Sequence, residues 1–111
     1  MAAMPKRLLF AALLGCALAA GAEELPTLRL SMKDGRFQPE VLKAPANIKF
    51  KLILKNEGAS AEEFESEELH KEKVLAPGAE SFLIFQPLKP GSYKFFGEFH
   101  PQTAQGRLVV E

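Results

Sequence analysis

Ile48-Lys49-Phe50-Lys51-Leu52-Ile53-Leu54-Lys55 alternates apolar and basic side chains with a period of two for most of its length. Successive side chains of a strand point to opposite faces, so Ile48, Phe50, Leu52 and Leu54 are expected to face a core while Lys49, Lys51 and Lys55 face water. Upstream, Leu28-Arg29-Leu30-Ser31-Met32 alternates in the same way until Asp34-Gly35 signals a turn, with Met32 read as a packing residue. The segment from Phe37 through Pro39, Val41 and Leu42 to Pro45 is too rich in proline for a helix and reads as a sheet edge. Downstream, Asn56-Glu57-Gly58 ends the central strand and Val74-Leu75 leads to a Pro77-Gly78 turn. Further strands are expected over Ser81 to Phe85, Tyr93 to Phe99 and, after Gly106, Arg107 to Val110. Alternation makes Phe82, Ile84, Tyr93 and Phe95 core residues. The span Ala61 to Lys73, crowded with carboxylates around Phe64 and Leu69, fits a strand or a helical turn. Six or seven short strands separated by turn signals, with no sustained 3.6-residue period, predict an all-β sandwich.

The start of the chain has a different purpose. Lys6 and Arg7 precede an uncharged run from Leu8 to Ala20, followed by Ala20-Gly21-Ala22. A bilayer-crossing helix needs about 20 apolar residues, so this shorter run predicts a cleavable signal peptide over 1–22 and a mature domain over 23–111 in the periplasm. Leu13-Leu14-Gly15-Cys16 also loosely matches a lipoprotein signal. The bulky Leu14 and the better small-residue site downstream favour soluble release before Glu23. Either way the chain's one cysteine lies outside the mature domain, which has no thiol for a disulfide.

Taking Lys6 and Arg7 from the 14 basic residues leaves 12 against 14 acidic, a formal charge of −2. No nucleic acid is expected as a partner, because a polyanion binder needs a basic excess to displace counterions. No serine stands in a motif that would pair it with a histidine, so hydrolytic chemistry has no visible nucleophile.

The stretch Pro90-Gly91-Ser92-Tyr93-Lys94-Phe95-Phe96-Gly97-Glu98-Phe99-His100, continuing through Ala104 and Gly106 to Val110, resembles the end of a cupredoxin domain. In that family a Pro-Gly turn opens a strand reading Tyr-x-Phe-x-Cys. A histidine follows three residues later, then a methionine, then a glycine that begins the last strand. The likeness extends back through Asp34, Phe37, Pro39 and the strand at Ile48. It implies a single Greek-key β-sandwich of cupredoxin type.

Carried over, the resemblance puts Gly97 at the cysteine position, His100 at the histidine position and Ala104 at the methionine position. The family's other histidine becomes Glu62, with Phe64 as the neighbouring core residue. A blue-copper centre depends on a copper–thiolate bond, so ordinary blue-copper electron transfer is excluded. Glu-Glu-Phe-Glu-Ser at 62–66 and Phe-Phe-Gly-Glu-Phe-His at 95–100 resemble the EfeO-type cupredoxin-like proteins of bacterial ferrous iron uptake. That likeness implies a periplasmic accessory of a membrane iron permease, binding a transition metal ion, iron or copper, with possible help in oxidising ferrous iron.

The candidate ligands are His100, Glu62, Glu63, Glu65, Glu98 and His70. Oxygen donors with one imidazole suit iron, manganese or oxidised copper better than cuprous copper. Strand parity separates Glu62 and Phe64 from Glu63 and Glu65, so these carboxylates cannot all meet one ion without a bulge. Parity also weakens Glu98, and His70 reads first as an exposed loop residue. A rival reading makes the domain a metal-free interaction module, whose acidic stretch docks on a membrane transporter or merely guards a sheet edge.

Overall fold

The computed structural model describes residues 24–111. The expected leader, with Cys16 and the site before Glu23, lies outside the described residues. Nine strands follow in order: β1 (Thr27–Lys33), β2 (Arg36–Gln38), β3 (Val41–Ala44), β4 (Phe50–Asn56), β5 (Glu62–Ser66), β6 (Lys71–Leu75), β7 (Glu80–Phe85), β8 (Gly91–Phe96) and β9 (Gln105–Val110). They form a four-stranded sheet, β2-β1-β4-β7, and a five-stranded sheet, β3-β9-β8-β5-β6. The pairs β1/β4 and β3/β9 are parallel and the other pairs antiparallel. The proline-rich segment does supply edges: β2 borders one sheet and β3 the other, with Pro39 between them. Proline lacks the N–H a central strand would need, which accounts for that placement.

Leu30, Met32, Phe50, Leu52 and Leu54 of one sheet pack on Leu42, Phe64, Phe95, Leu108 and Val110 of the other, all at most 4% exposed. Phe50 stacks on Phe85 with ring centroids 4.8 Å apart, and Phe95 meets Phe37 at 5.0 Å and Phe64 at 4.9 Å. Each such side chain contributes about 1.5–3 kcal/mol by leaving water, and a well-oriented aromatic pair roughly 0.5–1.5 kcal/mol more.

Three expectations need correction, and one open choice is settled. β4 begins at Phe50, and Ile48 is 45% exposed. In β7 the parity is reversed: Ser81, Leu83 and Phe85 oppose Leu54, Leu52 and Phe50, so Phe82 and Ile84 stand on the outer face, Phe82 half exposed. The run Phe82-Leu83-Ile84-Phe85 is apolar on both parities, and only pairing with β4 selects the buried one. Lys51 partly covers the exposed ring, its Nζ 4.5 Å from the Phe82 centroid. β8 stops at Phe96 because the chain turns at Gly97, leaving Phe99 exposed in the following loop. Finally, Ala61 to Lys73 resolves as the β5–β6 hairpin with no helical turn; Phe64, buried on the inner face, settles that choice.

Candidate metal centre

The site is built around the first residues of β5. Asn56, fully buried at the end of β4, donates from Nδ2 to the carbonyls of Ser60 and Leu75 and accepts at Oδ1 from Gly58 N. These bonds tie the β4–β5 connection to the hairpin and fix where β5 starts. Glu62 and Glu63 then occupy its first two positions, each 3% exposed. A buried carboxylate is tolerated only when its oxygens have partners. No buried side-chain polar atom lacks one among the described residues.

Glu62 points inward. One oxygen, Oε2, accepts from the Gly35 amide at 2.8 Å, and Oε1 lies 3.1 Å from His100 Nδ1. Gly35 belongs to the two-residue β1–β2 turn, where Asp34 has φ 52° and Gly35 φ 73°, the left-handed backbone such hairpins need. A side chain at Gly35 would also place its Cβ 2.8 Å from His100 Cγ, so the imidazole rests on bare backbone. Thr103 Oγ1 donates to Gly35 O at 2.6 Å, clamping the His100 loop to the turn. Within that loop His100 N donates to Gly97 O and Ala104 N to His100 O. The ring keeps one edge open: the His100 side chain is 39% exposed, against 3% for Glu62.

The four positions carried over from the family pattern therefore meet at one end of the sandwich. Gly97 N donates to Ala104 O at 2.9 Å. A Cβ on Gly97 would lie 3.1 Å from the Ala104 Cβ and 2.7 Å from the Glu63 carbonyl oxygen. That second contact is with backbone, which cannot swing aside. The residues present do not fit a thiolate-bound copper: no cysteine is found among the described residues, and the position that would bear one is closed. The imidazole and carboxylate do fit a borderline or hard ion. Ligand bonds of roughly 2.0–2.2 Å place two adjacent donors about 3 Å apart, close to the separation found here.

The remaining carboxylates gather on the other face of β5. Oxygen atoms of Glu63, Glu65 and Glu72 all lie within 4.8 Å of one another. Glu65 sits opposite Glu72 in the β5–β6 register, a like-charge cross-strand pair. Glu63 Oε1 accepts from the Glu98 main-chain N–H at 2.7 Å, so Glu98 reaches this group with its backbone. Partial burial, and after it the charge of Glu63, a hydrogen bond with Glu63 and the charges of Glu72 and Glu98, raise the Glu65 carboxyl above its ordinary pKa. His70 is exposed and takes φ 55° as the last residue of the four-residue β5–β6 loop. It stands beyond Ser66, at the far end of the strand from Glu62, so it belongs with Glu65 and Glu72 rather than with His100.

The structure thus brings Glu62 and His100 together, and it gathers Glu63 and Glu65 elsewhere. Three contributors escaped the sequence reading. Glu72 needs the hairpin register, which only the loop length from Ser66 to Lys71 would have supplied. Gly35 and Thr103 act through long-range contacts that leave no local pattern.

Residues 6–110 match the family model described as a cupredoxin-like domain. An uncharacterised protein of Rickettsia prowazekii is 42% identical over 83 residues, covering 75% of this chain; the chain spans 66% of that relative's length. Among solved structures, the reduced auracyanin of Roseiflexus castenholzii superposes with a TM-score of 0.65 at 14% identity, over 80% of this chain and 99% of its own. The metal-binding domain of the Streptococcus pneumoniae Cu(I)-exporting P-type ATPase CopA gives 0.67 at 17% identity, over 77% and 84%. A two-sheet architecture, the clustering of Gly97, His100, Ala104 and Glu62, and a family match over nearly its whole length agree: the chain belongs to the cupredoxin-like domain family.

Proposed function

We propose that this chain is an exported, periplasmic cupredoxin-like protein that holds a transition metal ion, iron or oxidised copper, through His100 and Glu62. In this reading it serves as an accessory of metal transport, with a membrane iron permease or its associated proteins as partner. The observation that carries the proposal is the 3.1 Å approach of His100 Nδ1 to Glu62 Oε1 at the family's ligand positions. The other Glu62 oxygen is held by the Gly35 amide, so the carboxylate is oriented before any ion arrives. Support for a transport setting comes from the CopA domain, which shares the fold and was solved with Cu(I). The donor set here is harder than one built on sulfur, which favours ferrous, ferric or cupric ions over cuprous copper.

Thermal melting with added metal tests this. An ion that binds only the folded protein raises Tm by mass action. Cupric, ferrous or ferric ions are expected to raise Tm in the wild type and not in His100→Ala or Glu62→Gln. A wild-type shift that survives both substitutions would sink the assignment.

The group formed by Glu63, Glu65 and Glu72 favours a second reading, a hard-cation site on the outer face. Retention of the shift in His100→Ala with its loss in Glu65→Gln/Glu72→Gln would move the ion there. No shift with any metal would favour the metal-free docking module.

A further inference from the structure

The outer face of the four-stranded sheet surrounds an apolar centre with cations. Its register lines up Arg29, Ile53 and Phe82 across β1, β4 and β7, and Lys51 beside Ile84 in the next row. Lys33 and Arg36 stand opposite each other across the β1–β2 hairpin, and Lys55 lies beside Ser31. Against these cations the face presents Glu80, opposite Lys55, and Glu57, which accepts from Ser31 Oγ, with Asp34 in the turn between Lys33 and Arg36. The ion pairs among the described residues are Lys43–Glu111 and His100–Glu62, so none of the five cations is in one, although Lys55 Nζ donates to the Gly78 carbonyl at 2.9 Å. At the centre lie Phe82, half exposed, and the half-buried Ile53 and Ile84. The protein carries this basic face although its sequence has equal numbers of basic and acidic residues. Glu63, Glu65 and Glu72 sit on the opposite sheet.

We infer that this face docks on an anionic phospholipid surface, with Arg29, Lys33, Arg36, Lys51 and Lys55 meeting headgroup phosphates and Phe82 entering the interface. Two features favour lipid over a protein partner. Four strands of up to seven residues offer a face of roughly 20 Å by 23 Å, on the order of 450 Å². A stable protein interface uses about 800 Å² per partner. The cations are also spread over three strands, a pattern that laterally mobile headgroups can match and a rigid acidic surface matches only by a dedicated fit. Near an anionic leaflet each Lys or Arg strengthens partitioning about fivefold. Lys51 Nζ lies 4.5 Å from the Phe82 centroid, so the charge that would meet a headgroup stands beside the ring that would enter the interface. This inference is independent of the metal reading.

The chain has no tryptophan, so Phe82→Trp provides a single local reporter. With vesicles of phosphatidylglycerol at low salt, the fluorescence of that variant is expected to shift to the blue. The shift should be absent with phosphatidylcholine and lost near 1 M salt, where screening acts within about 3 Å. An apolar leader that inserts alone would leave position 82 in water. In the same background, Arg29→Gln/Lys51→Gln should lower partitioning about 25-fold. Lys94→Gln/Arg107→Gln, with the same charge change on the other sheet, should leave it within about twofold. Equal losses in the two double variants, equal binding to both lipids, or no blue shift with phosphatidylglycerol would each overturn the inference. A shift with polyglutamate and none with vesicles would overturn it in favour of an acidic protein partner.

Discussion

Glu62 and Glu63 are adjacent in the chain and equally buried, yet they live in opposite electrostatic surroundings. Glu62 faces inward to an imidazole and the Gly35 amide, both able to stabilise negative charge. Glu63 faces outward and receives one amide, from Glu98, while two further carboxylates crowd its other side. The pleat of a single strand produces this division, since neighbouring residues must leave by opposite faces. One side is suited to holding a cation between unlike donors; the other stores repulsion that an added proton or cation relieves.

The largest effect expected from this division is structural. Phe64 shares the inner face with Glu62, so Phe64→Ala should cost about 3–5 kcal/mol in a urea titration, and a loss below 1 kcal/mol would remove the inner face from the core. Next, Gly97→Cys should cost about 1–3 kcal/mol, because its Cβ meets the Glu63 carbonyl. With cupric ion added, that variant should show no intense visible thiolate–copper band. A third test sets the two glutamates against each other. Glu62→Ala strands the Gly35 amide and should cost about 1–3 kcal/mol, whereas Glu63→Ala also relieves repulsion and should cost less. Equal losses would erase the distinction.

The smallest effect concerns pH. The Glu65 pKa is raised in the folded state, so the folded protein binds that proton more readily than the unfolded chain. Its stabilising contribution is present below the unfolded pKa and is lost as pH rises through the folded one. Glu65→Gln should therefore flatten stability in that acidic window and slightly raise it at neutral pH. An unchanged profile of Tm against pH would show that the outer carboxylates do not interact.

Much of this arrangement could be seen in the sequence wherever one parity was apolar and the other polar. Leu28 to Met32 satisfied that condition and Phe50 to Leu54 did so except at Ile53, and both appear as expected. Glu62 and Phe64 shared a face for the same reason. Parity does not decide Phe82 to Phe85, where apolar side chains on both parities leave the buried set to be chosen by the partner strand. Nor does parity place the end of the strand from Tyr93, because the turn at Gly97 is held by the Ala104 carbonyl seven residues on and by close approach to the Glu63 backbone, which is distant in sequence. At the candidate site, family spacing located Glu62 and His100. Strand parity already set Glu63 and Glu65 on the other face from Glu62; the residue that joins them there, Glu72, follows from the hairpin register, which parity along one strand does not contain.

The amide of Gly35 offers a way to listen to the site without touching it. Its hydrogen is held by a carboxylate oxygen belonging to the opposite sheet, so its rate of exchange with deuterated solvent reports how firmly the two layers are latched at that end. Anything that draws Glu62 toward the imidazole, or pulls it away, would register as a changed protection factor at one backbone position, readable by NMR even when the bound species is spectroscopically silent.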